Sequence, residues 1–313
     1  VTVRGLLIVN PRATTTSPRI IDVIVQALSH EIELDVRVTT HRGHASSLGE
    51  YAVSEHLDLV ITLGGDGVVH EVVNGMLGLG RGDDLPALAT IPGGSANVFA
   101  RSLGLSVDPV DATGQVLEAI RAGRSRYIGV GCVETHETRY FIANAGVGLD
   151  AAIIEAMDRQ RAKGKVASPA RYLATTISEF FSKSTRKAPG LTLERPGGER
   201  VDHAMVALVQ NTSPWTYFGA WPLDPCPQAS FDTGLDVFAV QALNPITTMR
   251  AALRIVWRIR AGSAGNAITV WHDQHAFTVH ADSPAPLQVD GEFVGNITQA
   301  TFTDLPRALR VIV

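Results

Sequence analysis

Leu59-Val60-Ile61-Thr62-Leu63-Gly64-Gly65-Asp66-Gly67 and, one unit later, Leu88-Ala89-Thr90-Ile91-Pro92-Gly93-Gly94 are the two stretches that decide the fold. Each is an apolar, β-branched run without polar alternation that ends in paired glycines. Runs of that kind belong to parallel sheets covered by helices on both faces, because both sides of each strand are then buried. After the first turn the apolar residues fall at 68, 69, 72, 73 and 76, one stripe of a helix that packs on the sheet. Working outward, Gly5-Leu6-Leu7-Ile8-Val9, the helix-period segment 20–28, the run 34–39, the segment 45–52 and the run 57–63 repeat the alternation. Residues 1–125 therefore read as an α/β three-layer domain.

Past Gly123-Arg124-Ser125 the texture changes to short strand-like runs at 127–133, 139–143, 191–194, 205–209, 235–240, 268–271, 276–279 and 287–289. That predicts a mostly antiparallel β domain over 126–302, interrupted by helical segments at 151–184 and 246–261. The last run, 309–313, suits either domain, so 303–313 is a candidate to rejoin the first.

The chain has 313 residues and a net charge of −4, so no global basic field recruits nucleic acid. The two cysteines, Cys132 and Cys226, lack metal-ligand spacing and read as small buried hydrophobes in a reducing compartment. The longest uncharged stretch, 204–223, is broken by Asn211, Pro214 and Pro222, and Val1-Thr2-Val3-Arg4 has neither a basic n-region nor an apolar core. Neither a membrane span nor a secretory leader is expected.

The chemistry sits in the turns. Glycines between a strand and a helix let the backbone approach a ligand and adopt positive φ, while the helix N-terminus favours phosphate. Pro92-Gly93-Gly94-Ser95-Ala96-Asn97 repeats the device, and Ser95 fits either an N-cap or a hydroxyl facing a phosphate. Two such turns on consecutive units suggest one polyphosphate site at the carboxyl edge of the sheet. Neither is a Walker loop, and neither has Gly-x-Gly-x-x-Gly spacing. Near the C-terminus, an extended Asp290-Gly291-Glu292 would point both carboxylates to one face, with room between them for ligand or metal; an ordinary β-turn with two solvated acids would carry the same tripeptide.

Asn10-Pro11, Gly64 to Gly67, Glu71-Val72-Val73-Asn74-Gly75, Pro92 to Ala100, Asn144-Ala145-Gly146-Val147-Gly148-Leu149-Asp150 and Val289-Asp290-Gly291-Glu292 together resemble the diacylglycerol kinase catalytic-domain family, which includes bacterial lipid kinases and sphingosine kinases. The resemblance implies an N-terminal nucleotide domain, a C-terminal β-sandwich lipid-acceptor domain, and ATP with Mg2+. It implies a nucleotide site of Asn10, Pro11, Arg12, Thr40, Gly64, Gly65, Asp66, Gly67, Val68, Val69, His70, Gly93, Gly94, Ser95 and Asn97, with Glu292 as proton acceptor and Asp290 and Asp66 beside it in catalysis. Phosphoryl transfer to an alcohol needs that combination of charge stabilisation and a base.

The chain also departs from the pattern. Val68 stands where the family usually has Thr, which shifts phosphate binding onto backbone N–H groups. Some bacterial members hold a structural magnesium beside an Asp-Asp-Gly turn; the nearest match is Asp232-Thr233-Gly234-Leu235-Asp236, which makes Asp232 and Asp236 the candidate ligands.

The span 155–187 carries eight bases against three acids, +5, leaving −9 elsewhere. It suits an anionic membrane surface, as peripheral docking at the cytoplasmic face, with Phe180-Phe181 as shallow inserting residues. The segment 246–260 puts Arg250, Arg254 and Arg258 on one ridge and Met249, Leu253, Val256 and Trp257 on another, a pattern shared by interfacial helices and by helices packed on a β domain. A homodimer is a further possible partner. His70 and His280 read as structural. The expected activity is an ATP-dependent lipid kinase making phosphatidic acid or its analogue. An NAD kinase-like enzyme, which shares Gly-Gly-Asp-Gly, and a non-catalytic lipid-binding protein are the alternatives.

Overall fold

A computed structural model describes residues 3–13, 17–149, 151–152, 190–242, 244–259 and 267–313. Asp150 and the basic span 155–187 with Phe180-Phe181 lie outside the described residues. The chain forms two units, Val1–Val130 with Pro306–Val313, and Gly131–Leu305.

In the first unit, β1 (Val3–Val9), β2 (Ile32–Val38), β3 (Leu59–Gly64) and β4 (Ala87–Pro92) lie in the order β4-β3-β1-β2, every pair parallel. One face of this sheet buries Leu7, Val9, Ile61, Leu63, Ala89 and Ile91 against α1 (Pro18–Ser29) and α5 (Pro109–Arg121), through Ile24, Leu28, Val116 and Leu117. The alternate residues Leu6, Ile8, Val60 and Leu88 are buried toward α2 (His44–Ser54) and α3 (Asp66–Leu77). Thr62 and Thr90 also lie on that side, and the Thr62 hydroxyl donates to Thr90 Oγ1 at 3.0 Å, so these buried polar groups satisfy one another.

Helix starts follow one device. Ser17-Pro18, Asp108-Pro109 and, in the second unit, Asn244-Pro245 each place a side-chain oxygen to accept from first-turn N–H groups, with proline at the first helical position. α2 and α3 approach so closely that glycine is required at the crossing. A methyl group built on Gly75 would stand 2.0 Å from the Ser46 carbonyl oxygen, and one on Gly49 2.6 Å from that of Val72.

The second unit is antiparallel throughout its pairings. β7 (Asn144–Gly148) lies between β10 (Val206–Gln210) and β15 (Ala276–Val289); β13 (Leu235–Val240) and β14 (Ile268–Gln274) follow beyond β10, and β16 (Glu292–Ile312) beyond β15. β8 (Leu191–Glu194) adds to β15 and carries β9 (Arg200–Ala204). β5 (Ser125–Glu134) pairs with β6 (Thr138–Phe141), and β11 (Thr216–Phe218) with β12 (Trp221–Leu223). The core centres on Phe277, stacked on Phe302 at 5.0 Å, with Phe141 edge-on to Phe302 and Trp271 edge-on to Phe277. Cys132 and Cys226 are both buried and not disulfide-bonded, and burial pushes the Cys226 thiol well up.

Two details differ from the sequence reading. The runs 276–279 and 287–289 are one strand, β15, with register shifts between them. Most important, Asn144-Ala-Gly-Val-Gly is the fully buried strand β7. Its two glycines and single β-branched residue hide it from propensity reading. The last residues of β16 belong to the first unit, where Val311 pairs parallel with Leu88.

The α2–α3 crossing makes a prediction with a sign. Gly→Ala inside a helix ordinarily stabilises by about 0.5–1 kcal/mol, and Gly114, exposed in α5 with nothing within 4 Å of a built Cβ, should do so. Gly75→Ala must instead push α2 from α3 and is expected to destabilise by about 1–3 kcal/mol. Thermal melts of the two variants check this; a raised melting temperature for Gly75→Ala contradicts the packing.

Candidate functional site

Because β1 to β4 are parallel, their carboxyl ends share one edge. The chain steps from β1 outward to β2, then returns to the other side of β1 for β3 and β4, so the order reverses between β1 and β3. Open α/β sheets bind ligands at that switch point. Asn10 and Gly64 meet there: the Asn10 N–H donates to the Leu63 carbonyl at 3.0 Å, and a Cβ on Gly64 would lie 3.3 Å from that of Asn10. Asn10 Oδ1 accepts from the Arg12 N–H at 2.9 Å, which folds Pro11 and the exposed Arg12 into a turn.

The two glycine turns lie back to back. The Gly93 N–H donates to the Gly64 carbonyl at 2.7 Å, and a methyl group on Gly94 would stand 2.6 Å from Gly65 Cα. Gly94 is therefore required by contact between turns, and Gly65 and Gly93 are tightly confined by it. The expected positive φ is absent from Gly64, Gly65, Gly67, Gly93 and Gly94, and falls instead on Asn97, at φ 48°. Asn97 is the N-cap of α4 (Val98–Ser102), the place expected for Ser95, which is exposed. Its side chain clamps the second turn, Oδ1 accepting from the Gly94 N–H at 2.9 Å and Nδ2 donating to the Gly94 carbonyl at 2.8 Å. Asp66 closes the arrangement, because its Oδ1 accepts from the Phe99 N–H at 3.0 Å and so ties the first turn to α4.

Within the first turn, the structure separates the residues grouped by sequence. The Val68, Val69 and His70 side chains are buried in α3, and the Val68 and Val69 N–H groups fold back on the Gly65 carbonyl. Gly65, Asp66 and Gly67 stand half-exposed, and the N–H groups of Gly65 and Gly67 have no acceptor among the described residues. Amides so placed at the start of a helix favour an anion.

Thr40, exposed beyond β2, adjoins two histidines that the sequence reading passed over. Its N–H donates to His44 Nδ1 at 3.1 Å, its hydroxyl lies 2.9 Å from His41 Nδ1, and the two imidazoles stack at 5.0 Å. Glu71 of α3 holds this loop, its carboxylate accepting from the Gly43 N–H at 2.9 Å and the Ala45 N–H at 3.1 Å, so it caps α2. The signal for it was the Glu71-to-Gly75 block, read only as resemblance: Glu71 caps α2, Asn74 donates to the His70 carbonyl at 2.9 Å, and Gly75 makes room for Ser46.

In the second unit, Asp290-Gly291 is not extended. Asp290 has φ 47° and Gly291 φ 79°, with Val289 paired to Glu292, so the two residues form the turn joining β15 to β16. Period-two alternation therefore fails there, and the two carboxylates do not share a face by that rule. Nor is Asp290 a solvated acid. Its carboxylate accepts from the N–H groups of Ile142, Ala143 and Asn144 at 3.0, 2.9 and 3.1 Å, and its own N–H donates to the Asn144 carbonyl at 2.7 Å. Gln288 extends the network, accepting from the Gly291 N–H at 2.8 Å and donating to Asn144 Oδ1 at 3.2 Å. Asp290 thus fixes the turn, and Glu292 is the half-buried first residue of the strand leaving it.

The candidate metal ligands separate. Asp232 is exposed, whereas Asp236 is buried on β13, where Oδ1 lies 2.7 Å from His272 Nδ1 and accepts from the Asp273 N–H at 3.1 Å. Burial pushes the Asp236 carboxyl up, opposed by those hydrogen bonds. Among the described residues no group of three His, Cys, Asp or Glu side chains gathers to hold a metal.

The sequence profile of the diacylglycerol kinase catalytic domain matches residues 4–133. A diacylglycerol kinase of Bacillus subtilis strain 168 is 26% identical over 281 residues, covering 90% of this chain and 86% of that protein. Among solved structures, a diacylglycerol kinase from Bacillus anthracis superposes with a TM-score of 0.72 at 21% identity, over 99% of this chain and 96% of the other. An NAD kinase from Archaeoglobus fulgidus, solved in complex with ATP, superposes with a TM-score of 0.54 at 12% identity, over 99% and 93% of the two chains. These superpositions speak for the fold, an N-terminal α/β domain followed by a mostly antiparallel region. Profile and full-length relative name the same enzymes: residues 4–133 match the diacylglycerol kinase catalytic domain, and the chain along most of its length is similar to a diacylglycerol kinase, which supports a lipid kinase.

Proposed function

We propose that the protein transfers the γ-phosphoryl group of ATP to the hydroxyl of diacylglycerol or a closely related lipid alcohol, giving phosphatidic acid or its analogue. The observation that carries this reading is the pair of glycine turns at the switch point, which leaves the Gly65 and Gly67 amides at the start of α3 without acceptors among the described residues. That edge suits phosphate and offers no Walker lysine, so binding rests on backbone dipoles. The donor set also fits the magnesium that accompanies a nucleotide. Mg2+ takes few protein ligands, one or two carboxylates besides phosphate oxygens and water, and Asp66 supplies a carboxylate at the same edge. When bound, the ion neutralises charge developing on the phosphates.

Glu292 is the residue we assign as proton acceptor. As the lipid oxygen bonds to the γ-phosphorus, the bond to the β–γ bridging oxygen breaks, ADP leaves with the electron pair, and the hydroxyl proton passes to the Glu292 carboxylate. Asp290 acts through the backbone. Three N–H groups hold its carboxylate, so it sets the turn from which Glu292 departs rather than taking the proton itself. The diacylglycerol kinase relative supports a lipid acceptor over NAD. We place it at the cytoplasmic face of a membrane, as a peripheral protein, because ATP and a membrane lipid are both within reach there.

Purified protein, labelled ATP, Mg2+ and a panel of lipid alcohols, with NAD as control, should give labelled phosphatidic acid from diacylglycerol; label in NAD and none in lipid overturns the reading. Glu292→Gln is expected to lower kcat by about 10²–10⁴-fold, with ATP affinity within a few-fold of wild type and an unchanged melting temperature. Asp290→Ala strands backbone N–H groups and is expected to cost about 1–3 kcal/mol of stability before any kinetic effect is read. Chemical denaturation of the two variants separates the roles, and an Asp290→Ala protein as stable as wild type refutes the assignment of Asp290 to the turn.

A further inference from the structure

More than half of the large apolar side chains exposed among the described residues sit on two neighbouring elements, the β11–β12 hairpin and α6 (Pro245–Trp257) with its exit. α6 is arranged inside out. Thr247 and Arg254 are buried on its inner stripe, and Ala251 and Ile255 pack against the cluster of Leu208, Phe238 and Val240. Arg254 Nε donates to the Pro225 carbonyl at 3.3 Å. Arg258, in the left-handed turn that ends the helix, reaches Ser213 Oγ at 3.3 Å and Asp224 Oδ2 at 3.5 Å. Asp224 is fully buried, and its carboxylate also accepts from Gln210 Nε2, the Cys226 N–H and the Ser213 hydroxyl. Arg254 is thus turned inward and holds the helix's rotation, while Arg258, its side chain still 43% exposed, reaches the buried Asp224 from the helix end.

The opposite ridge faces water. Ile246, Met249, Leu253 and Trp257, spaced as one helical stripe, are 67, 61, 44 and 67% exposed. Trp221, 54% exposed, donates its indole N–H to the Val256 carbonyl at 3.4 Å and joins the hairpin to this ridge, with Phe218 beside it at 51%. Neither element contains an Asp or Glu, and Arg250 is exposed at the ridge's margin. An apolar stripe with aromatic side chains, no carboxylate and a flanking cation is complementary to one kind of surface, an anionic lipid bilayer.

We propose that the outer ridge of α6, with the β11–β12 hairpin, docks the protein on anionic membrane by inserting these side chains at the level of the headgroups. The purpose of docking rests on the lipid-kinase reading; the surface does not. Because Arg254 and Arg258 are spent on the protein, the attachment is mainly apolar and responds weakly to salt, unlike docking through the basic span 155–187.

The test uses the whole protein, vesicles of phosphatidylcholine with and without phosphatidylglycerol, and the variant Met249→Ser/Leu253→Ser/Trp257→Ser. These are surface positions, so the melting temperature should hold. Co-sedimentation with phosphatidylglycerol vesicles is expected to fall by about tenfold or more, since each apolar side chain withheld weakens interfacial binding. Phosphorylation of vesicle-borne diacylglycerol should fall with it, while that of a short-chain diacylglycerol dispersed in water persists. Salt at about 0.5 M, where charges separated by more than a few ångströms are screened, should weaken wild-type binding less than the substitutions do. Trp257→Phe gives a readout independent of folding: binding is kept, but tryptophan quenching by lipids brominated in their acyl chains drops. Vesicle binding by the triple variant equal to wild type overturns the proposal. So does a solution dimer of the wild type that the variant dissociates without change in vesicle binding, which would assign the ridge to a second copy. Vesicle binding by a wild type that phosphorylates no lipid would uphold the surface and overturn the function proposed above.

Discussion

The N-terminal unit depends on one short contact, the Gly93 N–H on the Gly64 carbonyl at 2.7 Å, with Gly94 too close to Gly65 for a Cβ and Gly65 tight against Gly94. Neighbouring parallel strands lie nearly 5 Å apart, so two turns leaving β3 and β4 collide unless both lack side chains. The contact forces α3 and α4 to start side by side at the carboxyl edge. Asp66 and Asn97 then lock the arrangement, one reaching across to the Phe99 N–H and the other gripping Gly94 from both sides. The half-exposed amides of the first turn follow from this packing, since the Gly65 carbonyl is taken by Val68 and Val69 while its N–H is left facing the edge. The half-exposed edge is here a by-product of how tightly two loops must pack.

The same economy recurs where family resemblance had suggested ligand contacts. Glu71, Asn74 and Gly75 read together as a signature, yet Glu71 caps the start of α2, Asn74 donates to the His70 carbonyl and Gly75 makes room for Ser46. Asp290 accepts from three successive backbone N–H groups, a stronger constraint than any single pairing of an exposed acid. A charge-assisted hydrogen bond holds a turn at little cost in side-chain entropy, because Asp is short. Recurring polar residues next to a site are thus of two kinds, and only geometry separates those that would meet substrate from those that hold its surroundings still.

How much was legible in the sequence follows from the same distinction. The parallel sheet was readable because burial on both faces removes polar alternation from β1, β3 and β4, and helix starts were readable because capping is local. Strand β7 was not, since Asn144-Ala-Gly-Val-Gly is a strand only through its neighbours β10 and β15; nothing in its own propensities favours extension. The form of Asp290-Gly291 was readable either as an extended pair or as a turn. Only the N–H groups of 142–144, distant in sequence by nearly half the chain, decide it. Ser95 lost the capping position to Asn97 because a left-handed residue was needed there, and Asn tolerates that conformation better than most.

Helix α6 shows why periodicity alone cannot orient an amphipathic helix. Its two ridges, one basic and one apolar, were both visible, and transfer free energies favour putting the apolar one inside. Arg254 opposes that choice, because it is buried on the inner stripe beside Ala251 and Ile255 and donates to the Pro225 carbonyl. Stranding a buried guanidinium without its acceptor costs more than exposing one aliphatic side chain, worth only about 1.5–3 kcal/mol on full burial. The arginine of a polar ridge is long enough to reach inward while its helix stays on the surface, so its partner helps to set the rotation of the helix. The ridge left outside is then a consequence of what the inner stripe must satisfy in the interior.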